Sequence, residues 1–290
     1  MVDFMVKTIV RRVFGVVSVP LFCLINAYAQ TGDTNLVRGG VLGRMYCGMA
    51  ESVSWYDIPI ASVDLAELLF VPTNVAGKPI HFPPSNFDNE FQSHVGVRGS
   101  QTFVGQISEV GAMAFLGTRL LVNIGADLAG KNVTSEDYHR TFWFYKSIVY
   151  TYSVTMLAKN LVDRKRPDGS DNQSFFSGHS STAFCTASYL SLELNDWYDR
   201  WEETKKNPVL RTSLKIGSGV LLYSGAAYVA YSRMHDEKHY FTDVAVGAAI
   251  GTIVGTVIYR SHWSAESTGK SDVSFIMRGN APGVSYTIRF

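Results

Sequence analysis

Cysteine is scarce in this chain, with three among 290 residues. Cys23 lies in a predicted targeting segment, so at most one disulfide remains available, between Cys47 and Cys185. A buried free thiol is an equally good interpretation of Cys185, because that residue falls on an apolar helical stretch. An excess of charge of one sign is also lacking, since 26 basic and 25 acidic residues give a net charge of +1. Nothing in this balance indicates a nucleic-acid partner.

Repeats and low-complexity tracts are absent from the sequence, so no array architecture is indicated. Of the residues, 46% are hydrophobic, which is enough for one large core or two small domains. The composition therefore favours a compact catalytic domain.

The N-terminus has the pattern of an export signal over residues 1–29. Lys7, Arg11 and Arg12 precede an apolar run, and Ala27-Tyr28-Ala29 is a small-x-small cleavage site. We predict export to the periplasm. An uncleaved anchor in the inner membrane is the alternative.

Three zones follow the signal segment. Residues 30–100 are rich in turn-forming residues and predict a loop-rich arm with one short helix near 61–70. Residues 101–265 carry helical periodicity and form the predicted catalytic domain, with helices at 104–128, 136–162, 179–196, 208–232 and 240–260. Residues 270–290 alternate in hydrophobicity about a turn at 280–283 and predict a C-terminal β-hairpin.

Two stretches raise the question of a membrane. Residues 216–232 and 244–259 lack charges, and Gly247, Gly251 and Gly255 recur every four residues, a spacing that permits close helix packing. Both stretches are shorter than the ~20 residues needed to span a bilayer. We therefore favour a soluble or membrane-associated domain over a multi-span protein.

The first chemical cluster is Lys159 followed seven positions later by Arg166 and Pro167. On one helix, such a spacing places both cations on the same face, and Pro167 would then end the helix. Arg and Lys together are a common pair for phosphate recognition. Arg164 and Lys165 extend the basic run, and we predict that both are solvated.

The second and third clusters add histidines. Ser177-Gly178-His179 stands directly before a helical stretch, whose N-terminal N–H groups suit an anion. Arg233 follows Ser232, and His239 and Asp243 are four residues apart, so a carboxylate could orient one imidazole and leave its other nitrogen free to attack.

These three clusters, in this order and spacing, resemble the type 2 phosphatidic acid phosphatase superfamily, which includes bacterial acid phosphatases and vanadium haloperoxidases. Lys159 to Arg166-Pro167 matches its first motif, and Ser232-Arg233, His239 and Asp243 match its third. In the second motif, Phe176 replaces the usual Pro before Ser177-Gly178-His179, at a position that shapes a loop. The resemblance implies an all-α helical bundle of the acid phosphatase/haloperoxidase type.

The resemblance also implies roles. The catalytic residues are His239 as nucleophile, His179 as general acid and then base, and Asp243, which orients His239. The phosphate-binding residues are Lys159, Arg166, Ser177, Gly178 and Arg233. No metal or other cofactor is expected, because the cations replace one. The expected partner is a phosphorylated small molecule or lipid, with a membrane surface as a further candidate and the oligomeric state left open.

Three alternatives remain. A vanadium-dependent haloperoxidase would hold vanadate with the same cations, and a non-catalytic phosphate- or lipid-binding protein would use them without turnover. His235 and His239 are also four residues apart, a spacing found in zinc-binding helices, although Asp236 stands where the catalytic Glu of such helices would be. We interpret His235 as a surface residue at a helix end.

Overall fold

The computed structural model describes residues 40–53, 57, 60, 62, 78–268, 271–278 and 281–288. It is a helical protein, which confirms the all-α prediction. Its helices are α1 (Val41–Ser52), α2 (Asn86–Val95), α3 (Phe103–Leu128), α4 (Ser135–Leu161), α5 (Gly178–Arg200), α6 (Glu202–Lys206), α7 (Pro208–His235) and α8 (Phe241–Thr268). Its strands are β1 (Ile80–His81), β2 (Val162–Asp163), β3 (Ser271–Arg278) and β4 (Ala281–Ile288).

The long helices begin at residues that satisfy otherwise unpaired N–H groups. The Thr102 hydroxyl accepts a hydrogen bond from Gly105 N, and the Asn207 side chain accepts one from Leu210 N. Thr134 and Asp137 form a reciprocal capping box before α4. These caps explain why the predicted starts of the corresponding helices agree with the structure to within a residue or two.

The core lies where α4, α5 and α8 meet. Phe144 of α4 and Tyr259 of α8 both pack edge-to-face on Tyr189 of α5. The Trp143 indole donates to Ile258 O at 2.7 Å, which joins α4 to α8. The rings adopt the edge-to-face geometry that aromatic pairs prefer, and the buried indole N–H has a hydrogen-bond acceptor. The three helices that carry the predicted site are thus held in one packed unit.

Glycines allow α8 to lie directly against α5. A Cβ atom on Gly247 would stand 2.6 Å from Ser177 O, and one on Gly251 would stand 2.0 Å from Ser181 O. Backbone-to-backbone approach of this kind is possible only without side chains. The four-residue glycine spacing therefore brings the start of α8 beside the start of α5.

The N-terminal arm contains two helices that the sequence analysis did not predict, α1 and α2. The capping box of Ser85 and Asp88 starts α2. The predicted short helix near 61–70 lies outside the described residues except for Ser62, which is helical. The predicted signal peptide at 1–29 lies outside them entirely.

A two-residue parallel ladder ties the arm to the bundle. Ile80 pairs with Val162 and His81 with Asp163. The Lys78 ammonium donates to Lys159 O, Val162 O and Asn172 O at 2.7, 3.3 and 2.8 Å. The end of α4 is therefore shaped by a segment eighty residues earlier in the chain.

The C-terminal hairpin is present, with a tighter connection than predicted. Strands β3 and β4 are antiparallel, and Arg278 pairs with Ala281. Pro282 and Gly283 lie within β4, opposite Met277 and Ile276, so the predicted turn at 280–283 is shifted.

Both described cysteines are free thiols. Cys47 is partly buried, and Cys185 is fully buried on α5. The Cys185 thiol donates to Ser147 O of α4 at 3.5 Å. The interpretation of Cys185 as a buried thiol is confirmed, and the alternative of a disulfide with Cys47 is wrong.

Within the described part of the chain, one segment is long and apolar enough to cross a bilayer, Phe241–Ser261 in α8. The segment meets the criteria of length and composition for a membrane span, and the central helix of a soluble bundle meets the same criteria. Ile253 and Val257 of α8 are exposed, as are Val220 and Leu221 of α7.

Candidate functional site

The first cluster is not built on one helix, which corrects the sequence prediction. Helix α4 ends at Leu161, five residues before Arg166, and the chain continues through β2 into a loop. Pro167 therefore does not end the helix. The contacts of Lys78 and the pairing of Ile80 with Val162 end it earlier.

The loop after β2 nevertheless gathers both cations. The Lys159 ammonium donates to Gln173 O at 2.6 Å, and Arg166 Nε donates to Asp171 Oδ1 at 2.6 Å. The Gln173 N–H also donates to Asp171 Oδ1 at 2.8 Å. Burial alone would raise the pKa of Asp171, but Arg166, that N–H group and Lys159 together lower it. Asp171 is thus an ionised anchor for Arg166.

The second cluster opens α5 as predicted. Ser177 is the N-cap residue, and Gly178 is the first residue of the helix. A Cβ atom on Gly178 would lie 3.2 Å from Thr155 Cγ2, so glycine lets this turn sit close to α4. The Ser177 N–H donates to Asp243 O at 3.1 Å. His179 lies in the first turn, where the N–H groups and the helix dipole favour an anion.

Arg233 is held in the last turn of α7. Its Nη1 donates to Gly105 O at 3.0 Å and lies 3.9 Å from Asp236 Oδ2. Asp236 also accepts from Ser100 Oγ and from the backbone and side chain of Thr102. This carboxylate fixes the start of α3 to the end of α7 and positions Arg233 between them.

His239 lies in the turn between α7 and α8 and is 1% exposed. Its Nδ1 is 2.7 Å from Ser174 O and 3.9 Å from Asp243 Oδ2. A carbonyl oxygen only accepts, so Nδ1 carries the hydrogen and Nε2 keeps its lone pair. The expectation that Asp243 directly holds the imidazole is wrong at this distance, because a backbone carbonyl has that role.

Asp243 acts on His239 through Ser174. The Ser174 hydroxyl donates to Asp243 Oδ2 at 2.5 Å, and Tyr240 N donates to the same oxygen at 2.9 Å. Asp243 is fully buried at the start of α8. It therefore fixes the residue whose carbonyl accepts from His239.

The surroundings of His239 are strongly cationic. Burial lowers the pKa of His239 well below its usual value, and the charges of nearby groups lower it further. Those groups are Arg166, Lys159, Arg233 and His179. The residues predicted from three separate clusters thus surround one neutral imidazole.

Arg164 is the main residue that the sequence analysis misplaced. It was predicted to be solvated, but its side chain is fully buried. Nη2 donates to Asp88 Oδ2 at 2.7 Å, and Nε lies 3.3 Å from Asp243 Oδ1. A buried guanidinium requires such partners. The pattern Ser85-x-x-Asp88 is typical of a helix start and was missed, whereas no local pattern in the sequence indicates the burial of Arg164.

The zinc alternative finds no geometric support. His235 ends α7, and its Nδ1 lies 3.1 Å from Ser100 Oγ, whereas His239 directs Nδ1 to Ser174 O. In the described ranges, no group of three or more His, Cys, Asp or Glu residues is arranged to hold a metal ion.

Comparison with known proteins agrees with this arrangement. The family model of the PAP2 superfamily matches residues 140–267, which include every residue of the three clusters. This match confirms the resemblance to the type 2 phosphatidic acid phosphatase superfamily noted from the motifs.

Two curated relatives and one solved structure are similar to the chain. The lipid A 1-phosphatase of Porphyromonas gingivalis is 32% identical over 99 residues, 33% of this chain and 18% of that protein. A PA-phosphatase related-family protein of Dictyostelium discoideum is 30% identical over 165 residues, 50% of this chain and 56% of that protein. The chain thus spans less than two thirds of the length of either relative.

The solved structure is described as the first transmembrane PAP2 type phosphatidylglycerolphosphate phosphatase from Bacillus subtilis. It aligns with 78% of this chain and 94% of its own, at 19% identity and a TM-score of 0.40.

Proposed function

We propose that this protein is a metal-independent phosphatase that acts through a phosphohistidine on His239. One observation carries the proposal. His239 is buried and holds its hydrogen on Nδ1, and it is surrounded by Lys159, Arg166 and Arg233. Such an imidazole has a nucleophilic lone pair on Nε2, and the cations around it suit the oxygens of a phosphoryl group.

The first step transfers the phosphoryl group. Nε2 of His239 attacks phosphorus, the bond from phosphorus to the leaving oxygen breaks, and protonated His179 gives its proton to that oxygen. The cations, the Ser177 hydroxyl and the Gly178 N–H hold the non-bridging oxygens. Their charges are in place before the reaction, so they stabilise the transition state without reorganisation.

The second step releases phosphate. Neutral His179 takes a proton from water, whose oxygen attacks the phosphohistidine, and the phosphorus–nitrogen bond breaks. His239 recovers its lone pair, and His179 is again protonated for the next cycle. Asp243 holds Ser174 throughout, and the Ser174 carbonyl keeps His239 in the same tautomer.

For the substrate class, we propose lipid phosphates or lipid pyrophosphates. The exposed apolar side chains of α7 and α8 give the domain a surface suited to a bilayer. The curated relative from P. gingivalis is named as a phosphatase of lipid A. Soluble phosphomonoesters are the alternative substrates.

For the location, we propose the inner membrane, with the site reached from the periplasmic side. The support is the apolar segment Phe241–Ser261, together with the export pattern of the N-terminus. Retention in the membrane pellet after an alkaline carbonate wash is the expected result. Release into the wash would favour a soluble periplasmic enzyme.

The direct test is a hydrolysis assay with purified protein in EDTA. Phosphate release from phosphatidic acid and from a chromogenic aryl phosphate is expected without added metal, because cationic side chains provide the charge. Vanadate should inhibit, because it adopts the geometry of the transition state. Phosphate binding with no turnover would contradict the proposal and favour a binding protein. Halide oxidation after vanadate loading would favour a haloperoxidase.

A further inference from the structure

A chain of contacts joins the N-terminal arm to His239. Asp88 of α2 binds Arg164, Arg164 faces Asp243, and Asp243 accepts from the Ser174 hydroxyl, each within 2.5 to 3.3 Å. Ser174 O then accepts from Nδ1 of His239. Arg164 also contacts Ser174 directly, because Ser174 N donates to Arg164 O at 3.0 Å.

We propose that Arg164 is a positioning residue for the nucleophile, which it acts on through Asp243 and Ser174. The inference rests on the proposed role of His239. It goes beyond that role because it assigns the orientation of His239 to an arginine and to a helix, α2, that lies outside the family-matched residues 140–267.

The surroundings of Arg164 fix its guanidinium in one place. The ring of Phe82 lies 4.7 Å from its central carbon and that of Tyr240 lies 5.0 Å away. Two aromatic rings therefore pack against the guanidinium, and its Nη2 and Nε are directed at the two carboxylates. Only an arginine can stack in this way and reach two acids at once.

Asp88 holds Arg164 but has little capacity to move. Besides Arg164, it accepts from Ser85 N, from Ser85 Oγ, and from the backbone and side chain of Thr242. Thr242 stands beside Asp243 at the start of α8. Asp88 thus fixes both Arg164 and the backbone next to Asp243, and Arg164 in turn faces Oδ1 of Asp243.

Arg164 prevents Asp243 from approaching His239. Asp243 Oδ1 faces Arg164, and Asp243 Oδ2 is 3.9 Å from Nδ1 of His239, a gap that a small rotation would close. A carboxylate in direct contact would favour the imidazolium and remove the lone pair needed for attack. The charged and titratable groups that face His239 are Lys159 of α4, Arg166 of the following loop, His179 of α5, Arg233 of α7 and Asp243 of α8.

The test uses two variants and one control. Arg164→Gln removes the charge that holds Asp243. The double variant Arg164→Gln with Asp88→Asn removes both charges of the Arg164–Asp88 pair, so that Asp88 is not left as a buried carboxylate without its arginine, and it is the variant more expected to fold. Arg119→Gln is the matched control, because Arg119 forms a bidentate pair with Glu193 at 2.5 and 2.8 Å between α3 and α5, outside the site.

Two readouts are taken on the full-length protein. The first is the ¹⁵N NMR titration of the His239 ring, assigned by the signal that His239→Ala lacks. The second is the pH profile of kcat/KM with a chromogenic aryl phosphate. In both Arg164 variants we expect the pKa of His239 to rise by about one pH unit, and the acid limb of the kcat/KM profile to move to higher pH by the same amount. We expect kcat to fall roughly tenfold with less change in KM, since substrate contacts are untouched.

Arg119→Gln should lower stability and leave the titration and the acid limb in place. A folded Arg164 variant, single or double, with the wild-type His239 titration and wild-type kcat would overturn the proposal. The NMR titration needs no turnover, so it tests the role of Arg164 even if His239 proves not to be the nucleophile. Wild-type turnover by His239→Ala would instead contradict the proposed function.

Discussion

The imidazole of His239 donates from Nδ1 to the backbone carbonyl of Ser174 at 2.7 Å. This contact sets the tautomer of the proposed nucleophile by means of the main chain, which has no protonation state to lose. Nε2 is consequently the reactive nitrogen over the whole pH range in which His239 is neutral. The pH at which His239 becomes neutral then depends on its burial and on the surrounding charges.

We predict that the enzyme stays active in acid. Burial, followed by the charges of Arg166 and Lys159, lowers the pKa of His239 well below 6.5. The nucleophile is active when neutral, that is, above its pKa, so a lowered pKa moves the acid limb of kcat/KM to a pH below 6.5. The measurement is a pH–rate profile on the aryl phosphate, and an acid limb at or above pH 6.5 would contradict this assignment.

We predict that the importance of His179 depends on the leaving group. His179→Ala should strongly impair hydrolysis of an alkyl phosphate, whose departing alkoxide needs a proton. It should impair a nitrophenyl ester less, by a margin on the order of 10- to 100-fold, because nitrophenolate leaves unaided. The first turnover is measured in a burst experiment, since His179 also activates water in the second step. Equal losses on both substrates would mean that His179 positions phosphate and donates no proton.

We predict that the close contact between α5 and α8 tolerates no side chain at Gly251. A Cβ atom there would stand 2.0 Å from Ser181 O, a backbone atom, so Gly251→Ala must separate the helices. The expected loss is about 2 kcal/mol or more of unfolding free energy. Gly225→Ala on α7 is the control, because no atom lies within 4 Å of its Cβ position and alanine favours a helix.

Denaturant unfolding of the two glycine variants checks this prediction. Gly225→Ala should be unchanged or slightly more stable than the wild type. Since α8 begins beside the site, Gly251→Ala should also reduce turnover. Equal stability of the two variants would show that close approach at Gly251 is not required.

The sequence indicated which motif residues lie near one another better than it indicated the residues that support them. Lys159, His179 and His239 belong to motifs with fixed spacing, and the structure brings them together. Arg164 could not be assigned in this way, because its partner Asp88 lies 76 residues away in the N-terminal arm. A buried ion pair between distant segments leaves no local pattern.

The end of α4 illustrates the same limit. Periodicity predicted a helix over 136–162, which agrees with the observed end to within one residue, but the spacing of Lys159 and Arg166 predicted a helix that continues to Pro167. The helix ends at Leu161 because Lys78 binds the last carbonyls and Ile80 pairs with Val162. Tertiary contacts of this kind override local propensity. Lys159 and Arg166 nevertheless lie near the same site, because two residues of the loop after β2 bind them. Gln173 accepts from Lys159, and Asp171 accepts from Arg166.

Trapping the covalent intermediate tests the central claim most directly. Wild-type protein and His239→Ala are mixed with radiolabelled phosphatidic acid, quenched within one turnover, and assayed for phosphate bound to protein. Phosphoramidate bonds to histidine are labile in acid and stable in base. We predict acid-labile, base-stable label on the wild type and none on a folded His239→Ala protein. Label of equal amount on both proteins, or turnover by His239→Ala at the wild-type rate, would contradict the account.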